Sequence, residues 1–174
     1  MAGVGYSPRA DLSPLDFVPT SEATPQYNCI SWALGDPRVR WWPFEETDVT
    51  AAGFYWPDVI PRTESQEAFG ALFEFFGFEP CADALLEQGY EKVALYALGE
   101  APSHAAWQIV DGRWSSKVGS AGNDGIHSTP DGVGDAYGVV WAFYRRPRVR
   151  WSQPEDPVGQ YLGDAPLGTV TVAG

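Results

Sequence analysis

Tyr27-Asn28-Cys29-Ile30-Ser31-Trp32-Ala33-Leu34-Gly35 is the stretch whose reading decides the fold. Asn28 is a good N-cap, because its side-chain oxygen can accept from a free backbone N–H of the first helical turn. Gly35 is a good stop, because glycine enters the left-handed conformation that ends a helix without strain. The two bracket a short helix with Cys29 in its first turn. The peptide dipoles place partial positive charge at that end, which favours the thiolate form of the cysteine.

Outward from this helix the chain divides into three parts. Residues 1–26 carry Pro8, Pro14, Pro19 and Pro25 without sustained periodicity and read as an extended arm over the surface. Residues 36–62 hold Trp41-Trp42-Pro43-Phe44 and Phe54-Tyr55-Trp56-Pro57 and read as an ordered aromatic loop. Thr63-Glu64-Ser65-Gln66 matches a capping box, and Ala68, Phe69, Leu72, Phe73 and Phe76 fall on one face of the helix it opens. Lys92 to Leu98 and His104 to Val110 read as strands. Asp111-Gly112 marks a hairpin whose return is Arg113 to Val118. Residues 119–135 are rich in Gly and Asp and read as loop, and Tyr137 to Tyr144 is a further strand. The order is helix, helix, then antiparallel meander, which predicts an α+β fold over 27–147 with the Cys29 helix packed on an antiparallel sheet. Residues 148–174 form a Pro- and Gly-rich tail.

Composition removes several function classes. The chain has 174 residues, 44% hydrophobic and 14% aromatic, enough for one domain with a real core. A formal net charge of -12 repels phosphate, so nucleic acid is not an expected partner. Arg145, Arg146, Arg148 and Arg150 are the exception in sign and read as a solvated strand end running into a linker. No stretch approaches the roughly 20 apolar residues of a membrane helix, and the first residues lack the pattern of a secretory signal. The expected location is the cytoplasm. Two cysteines and two histidines at wide spacing make no zinc signature, and no cofactor is implied.

The remaining question is whether a cysteine does nucleophilic work. A cysteine hydrolase needs a thiol, an imidazole on a rigid platform to move its proton, and a third polar group to fix the tautomer of that imidazole. Cys29 opening a helix and His104 opening a strand supply the first two. Asp124 and His127, in Asn123-Asp124-Gly125-Ile126-His127, are the candidates for the third. The oxyanion needs donors, for which the Cys29 backbone N–H and a side-chain amide of Gln26 or Asn28 are placed in sequence. Trp41 and Trp42 can wall a substrate groove or cover the core. Cys81, with no basic residue near it in sequence, reads as structural.

Asn28-Cys29 at a helix start, followed by Ser103-His104-Ala105-Ala106 and Asp111-Gly112-Arg113-Trp114, resembles the papain-like superfamily in its compact bacterial forms. NlpC-type peptidases and transglutaminase-like proteins share such elements. The chain also resembles an uncharacterised bacterial family with Asn-Cys-Ile-x-Trp-Ala-Leu-Gly, then Trp-Trp-Pro, then His-Ala-Ala. The resemblance implies a papain-like fold, Cys29 as nucleophile, His104 as general base and a peptide or protein substrate. The third position departs from it. The return strand reads Ser115-Ser116-Lys117 where transglutaminase-like proteins carry Asp, and Ser116 is the nearest match to the His of NlpC-type enzymes.

The expected function is a cysteine hydrolase or acyltransferase acting on an amide or thioester through a Cys29 acyl-enzyme. The alternatives are an inactive papain-like scaffold serving as a protein-binding module, or a component of a toxin system. Leu162 to Val172 is a short apolar stretch after a Pro-rich linker, similar to tails by which cargo enzymes dock into protein shells. It reads either as a disordered terminus or as a segment that docks onto a protein partner.

Overall fold

The computed structural model describes residues 16–45, 52–119 and 121–150. Along the chain run β1 (Val18–Pro19), α1 (Cys29–Leu34), β2 (Arg40–Trp41), β3 (Phe54–Tyr55), α2 (Gln66–Phe75), β4 (Glu79–Cys81), β5 (Tyr90–Leu98), β6 (Ala101–Gln108), β7 (Trp114–Lys117), β8 (Asp124–His127) and β9 (Val139–Pro147). Two 3-10 turns, Pro130–Val133 and Asp135–Tyr137, precede β9. Seven strands form one sheet in the order β1-β8-β7-β6-β5-β9-β4, and every neighbouring pair is antiparallel. β2 and β3 form a separate parallel pair. The architecture is α+β, as the sequence pattern predicts. No helix among the described residues is long and apolar enough to cross a membrane.

α1 has the expected ends. Asn28 accepts from Ser31 N–H at 3.1 Å, and Ser31 Oγ returns the contact by accepting from Asn28 N–H at 2.9 Å. Gly35 closes the helix at φ +88°. All six residues of α1 are buried. The helix is held between the sheet below it and the aromatic segment around Trp41 and Trp42, so both of its faces are covered. α2 starts two residues later than the capping pattern suggests: Ser65, not Thr63, accepts from Ala68 N–H.

Side chains alternate across a strand, so the sheet has two distinct faces. Ala105, Trp107, Val93, Leu95 and Ile126 pack with both helices in the main core. Ala94, Tyr96, Ala106 and Trp114 pack on the other face beneath Val133 and Tyr137 of the two turns.

The structure departs from the sequence reading in several further places. Residues 119–135 are not all loop, because Asp124–His127 pairs with β7 and also with β1. The arm therefore joins the sheet as its edge strand. The aromatic loop of 36–62 contains the β2–β3 pair. His104 lies fourth in β6 rather than at its head.

The arginine cluster is not solvated either: Arg146, Arg148 and Arg150 are all buried. Arg150 donates to Glu91 at 2.8 Å and to the carbonyls of Trp32 and Ala33 in the last turn of α1. Packed structure thus continues past Pro147 to Arg150, and the candidate docking segment 162–172 lies outside the described residues.

Candidate active site

Cys29, His104, Ser116, Lys117, Asp124 and His127 all lie in the interior, none more than 4% exposed. They come from α1, β6, β7 and β8. β6 and β7 pair only at Trp107–Ser115 and Gln108–Trp114. Beyond that point the ladder ends, and α1 packs on both strands.

Alternation sorts these groups onto the two faces. Ser115 accepts from Trp32 Nε1 of α1 at 2.9 Å, so Ser115 and Lys117 face the helices while Ser116 faces away. On the far face the His104 ring stacks on Tyr137, with centroids 4.1 Å apart, and meets Tyr96 edge-on. Its Nε2 lies 2.9 Å from Ser116 Oγ, which lies 2.8 Å from His127 Nε2. His127 Nδ1 lies 2.6 Å from the carbonyl oxygen of Thr129.

The direction of every hydrogen bond in this chain of groups follows from its last member. A carbonyl only accepts, so His127 carries its proton on Nδ1. Burial holds both imidazoles below their usual pKa, His104 well below, and His104 is lowered further by the neighbouring His127. With His127 neutral, its Nε2 accepts from the Ser116 hydroxyl. Ser116 Oγ then accepts from His104 Nε2–H. His104 Nδ1 is left with a bare lone pair, and this buried atom has no hydrogen-bond partner among the described residues.

Cys29 packs with the main core on the helix side. No hydrogen bond joins its thiol to His104. The Ala105 amide and the charge of Lys117 favour the thiolate, yet desolvation outweighs both and pushes the thiol up to about 11. The lowered pKa anticipated from the helix start does not arise, because 4% exposure removes the water that would solvate the anion. A charge on the thiol would raise the pKa of both Lys117 and Tyr137, the ring stacked on His104.

Asp124 sits on the helix side, opposite Lys117 in register, and accepts from Tyr27 Oη at 2.5 Å. Burial raises its carboxyl to about 6. It makes no hydrogen bond to either imidazole, so of the two candidates for the third position only His127 is linked to His104, through Ser116.

The remaining candidates have other work. Asn28 spends its amide on the helix cap and on Trp41, accepting from Trp41 N–H and donating to Trp41 O. Gln26 is exposed. Trp41 and Trp42 are 4% and 1% exposed, so they are core and not groove wall. Among the described residues no cluster of His, Cys, Asp and Glu is arranged to hold a metal ion.

Residue type alone points to Cys29, His104, Asp124 and His127. It passes over Lys117 and Tyr27 and leaves Ser116 as a gap, because strand register decides their roles. Residues 18–145 match the family described as a domain of unknown function (DUF7689), and the chain belongs to that family. No curated protein and no solved structure matches it.

Proposed function

We propose that this protein is a cysteine hydrolase or acyltransferase of papain-like design, acting on an amide or thioester bond through an acyl-enzyme on Cys29. The carrying observation is the orphaned Nδ1 of His104, a buried base whose other nitrogen is tied through Ser116 to His127. A neutral base with a fixed tautomer, beside a thiol that rests protonated rather than as an ion pair, is suited to general-base catalysis once substrate brings the two together.

His104 Nδ1 takes the thiol proton as Cys29 Sγ bonds to the carbonyl carbon, and the carbonyl π pair moves to oxygen. When that pair returns, the bond to the leaving amine or thiol breaks, and the leaving group takes the proton from Nδ1. Water or an acceptor amine then attacks the thioester with His104 again as base. Ser116 and His127 hold the ring throughout. Catalytic hydrogen bonds are often loose before substrate binds, so the missing thiol–imidazole contact is compatible with this role.

The test is acylation by p-nitrophenyl acetate, with the acetyl group located by peptide mass spectrometry. The expected result is acetylation of Cys29 with turnover, and loss of both in His104→Ala. Acetylation equal in His104→Ala, or none at Cys29, would overturn the reading. A binding module is the second reading, favoured by the buried, protonated thiol, and it is the one left standing by that negative result.

A further inference from the structure

Lys117 stands out among the buried cations. Lys92 donates to Asp83 and pairs with Glu87. Arg146, Arg148 and Arg150 all donate to carbonyls, and Arg150 also to Glu91. Lys117 is 0% exposed, and its Nζ makes no hydrogen bond and no ion pair among the described residues. Moving an ammonium out of water costs several kcal/mol even after relaxation, and good partner geometry is what normally offsets it. A methionine would fill the same space without that cost. The charge therefore needs an explanation other than packing.

Its placement supplies one. Lys117 leaves β7 on the face that carries α1. Its Nζ lies 5.4 Å above the ring of Tyr27, two residues before Cys29. Asp124 faces it from β8 and Tyr27 from the approach to α1, and α1, which Cys29 opens, packs on the same face of β7. Burial lowers the pKa of the amine, and the charges of Asp124 and Cys29 work against that fall. Tyr27 draws Asp124 Oδ2 toward itself, and the other carboxylate oxygen has no partner among the described residues. The ammonium is thus held between a carboxylate it does not bond and the helix start that carries the protonated thiol of Cys29.

We propose that Lys117 is a positioning residue for catalysis: its ammonium stabilises the negative charge that forms on Cys29 Sγ, while Asp124, fixed by Tyr27, keeps the amine protonated and aimed. The inference rests on Cys29 being the nucleophile. Lys117 transfers no proton. The thiol proton leaves toward His104 on one face of the sheet, and the charge left on sulfur is balanced by Lys117 on the other.

Two measurements test it. Lys92 and Lys117 are the two lysines of the chain, so a ¹³C spectrum of the lysine ε-carbons resolves them in the unaltered protein. The ε-carbon of Lys117 is expected to report an ammonium at neutral pH; a neutral amine would overturn the proposal. The second is the pH profile of iodoacetamide alkylation, read on the Cys29 peptide. Lys117→Met is expected to move the apparent thiol pKa up by about one unit, roughly tenfold less thiolate at any pH below it, and Lys117→Arg to restore most of the shift.

A purely structural role would leave the profile unmoved in folded Lys117→Met protein, and superimposable profiles would overturn the proposal. The same experiments separate it from the hydrolase reading. Acetylation lost in His104→Ala with an unmoved Lys117→Met profile sinks the lysine alone. A shifted profile without acetylation of Cys29 sinks the hydrolase and leaves the lysine's effect on the thiol standing.

Discussion

His104 Nε2 lies 2.9 Å from Ser116 Oγ, and that contact determines which nitrogen of the ring is free to act as a base. The hydroxyl donates onward to His127, so it must accept from His104. Proton position in the whole site is set by the Thr129 carbonyl at the far end of this relay.

Ser116→Ala is expected to do more than remove one hydroxyl. It leaves the Nε2 atoms of two buried imidazoles without partners, at about 1–3 kcal/mol for each unsatisfied group. Urea unfolding measures this loss. Cys29 acetylation should fall as well, because His104 can then adopt the tautomer with Nδ1 protonated.

Stability should drop on mild acidification. Both histidines have folded pKa values below their unfolded value near 6.5, so the unfolded chain binds more protons below that pH. Their contribution is complete above about pH 6.5 and is lost as pH falls through the folded values. Asp124 acts with the opposite sign. Its folded pKa of about 6 lies above the unfolded value, so its contribution is present below about pH 4 and is lost as pH rises through 6. Asp124→Asn should therefore steepen the loss between pH 6 and 4. Thermal melts of the two proteins across that range provide the comparison, and parallel slopes would contradict the raised carboxyl.

Arg150 joins three parts of the fold, so its loss should be felt globally. Arg150→Met strips Glu91 of its nearest cation and removes the Arg150 donors from the Trp32 and Ala33 carbonyls. Breaking one side of a buried ion pair costs about 3–5 kcal/mol. Arg146 lies 3.6 Å from the same carboxylate and places the loss toward the lower end. A chain ending at Pro147 should be less stable than one ending at Arg150 by a similar margin in urea.

Gly125 admits the arm. A Cβ there would lie 2.1 Å from Phe17 Cζ, far inside contact distance. Gly125→Ala should displace Phe17, remove its stacking on His127 and expose the stretch around Val18 to protease. Limited proteolysis of the two proteins reads the difference.

The helix that carries Cys29 is legible in the sequence because its signals are local: a cap, a stop and an apolar run between them. The β6–β7 hairpin is legible for the same reason, with Asp111-Gly112 at its turn. β8 is not. Asp124 and Gly125 are turn formers by composition, and they become strand because β7 and the arm pair with them on either side. The burial of Arg146, Arg148 and Arg150, the arginines around Pro147, is hidden in the same way: Glu91 and the end of α1, which help to bury them, lie far off in sequence. At the site, residue type exposes Cys29, His104, Asp124 and His127. That Ser116 and Lys117 point to opposite faces, one toward the imidazoles and one toward the thiol, follows only from register.

The most direct test of the central claim is the tautomer of the two imidazoles. With only two histidines in the chain, a long-range ¹H–¹⁵N spectrum at neutral pH assigns both. The expected result is a neutral His104 protonated on Nε2 and a neutral His127 protonated on Nδ1. A His104 protonated on Nδ1, or charged on both nitrogens, would contradict it, because the base that Cys29 needs would then be absent.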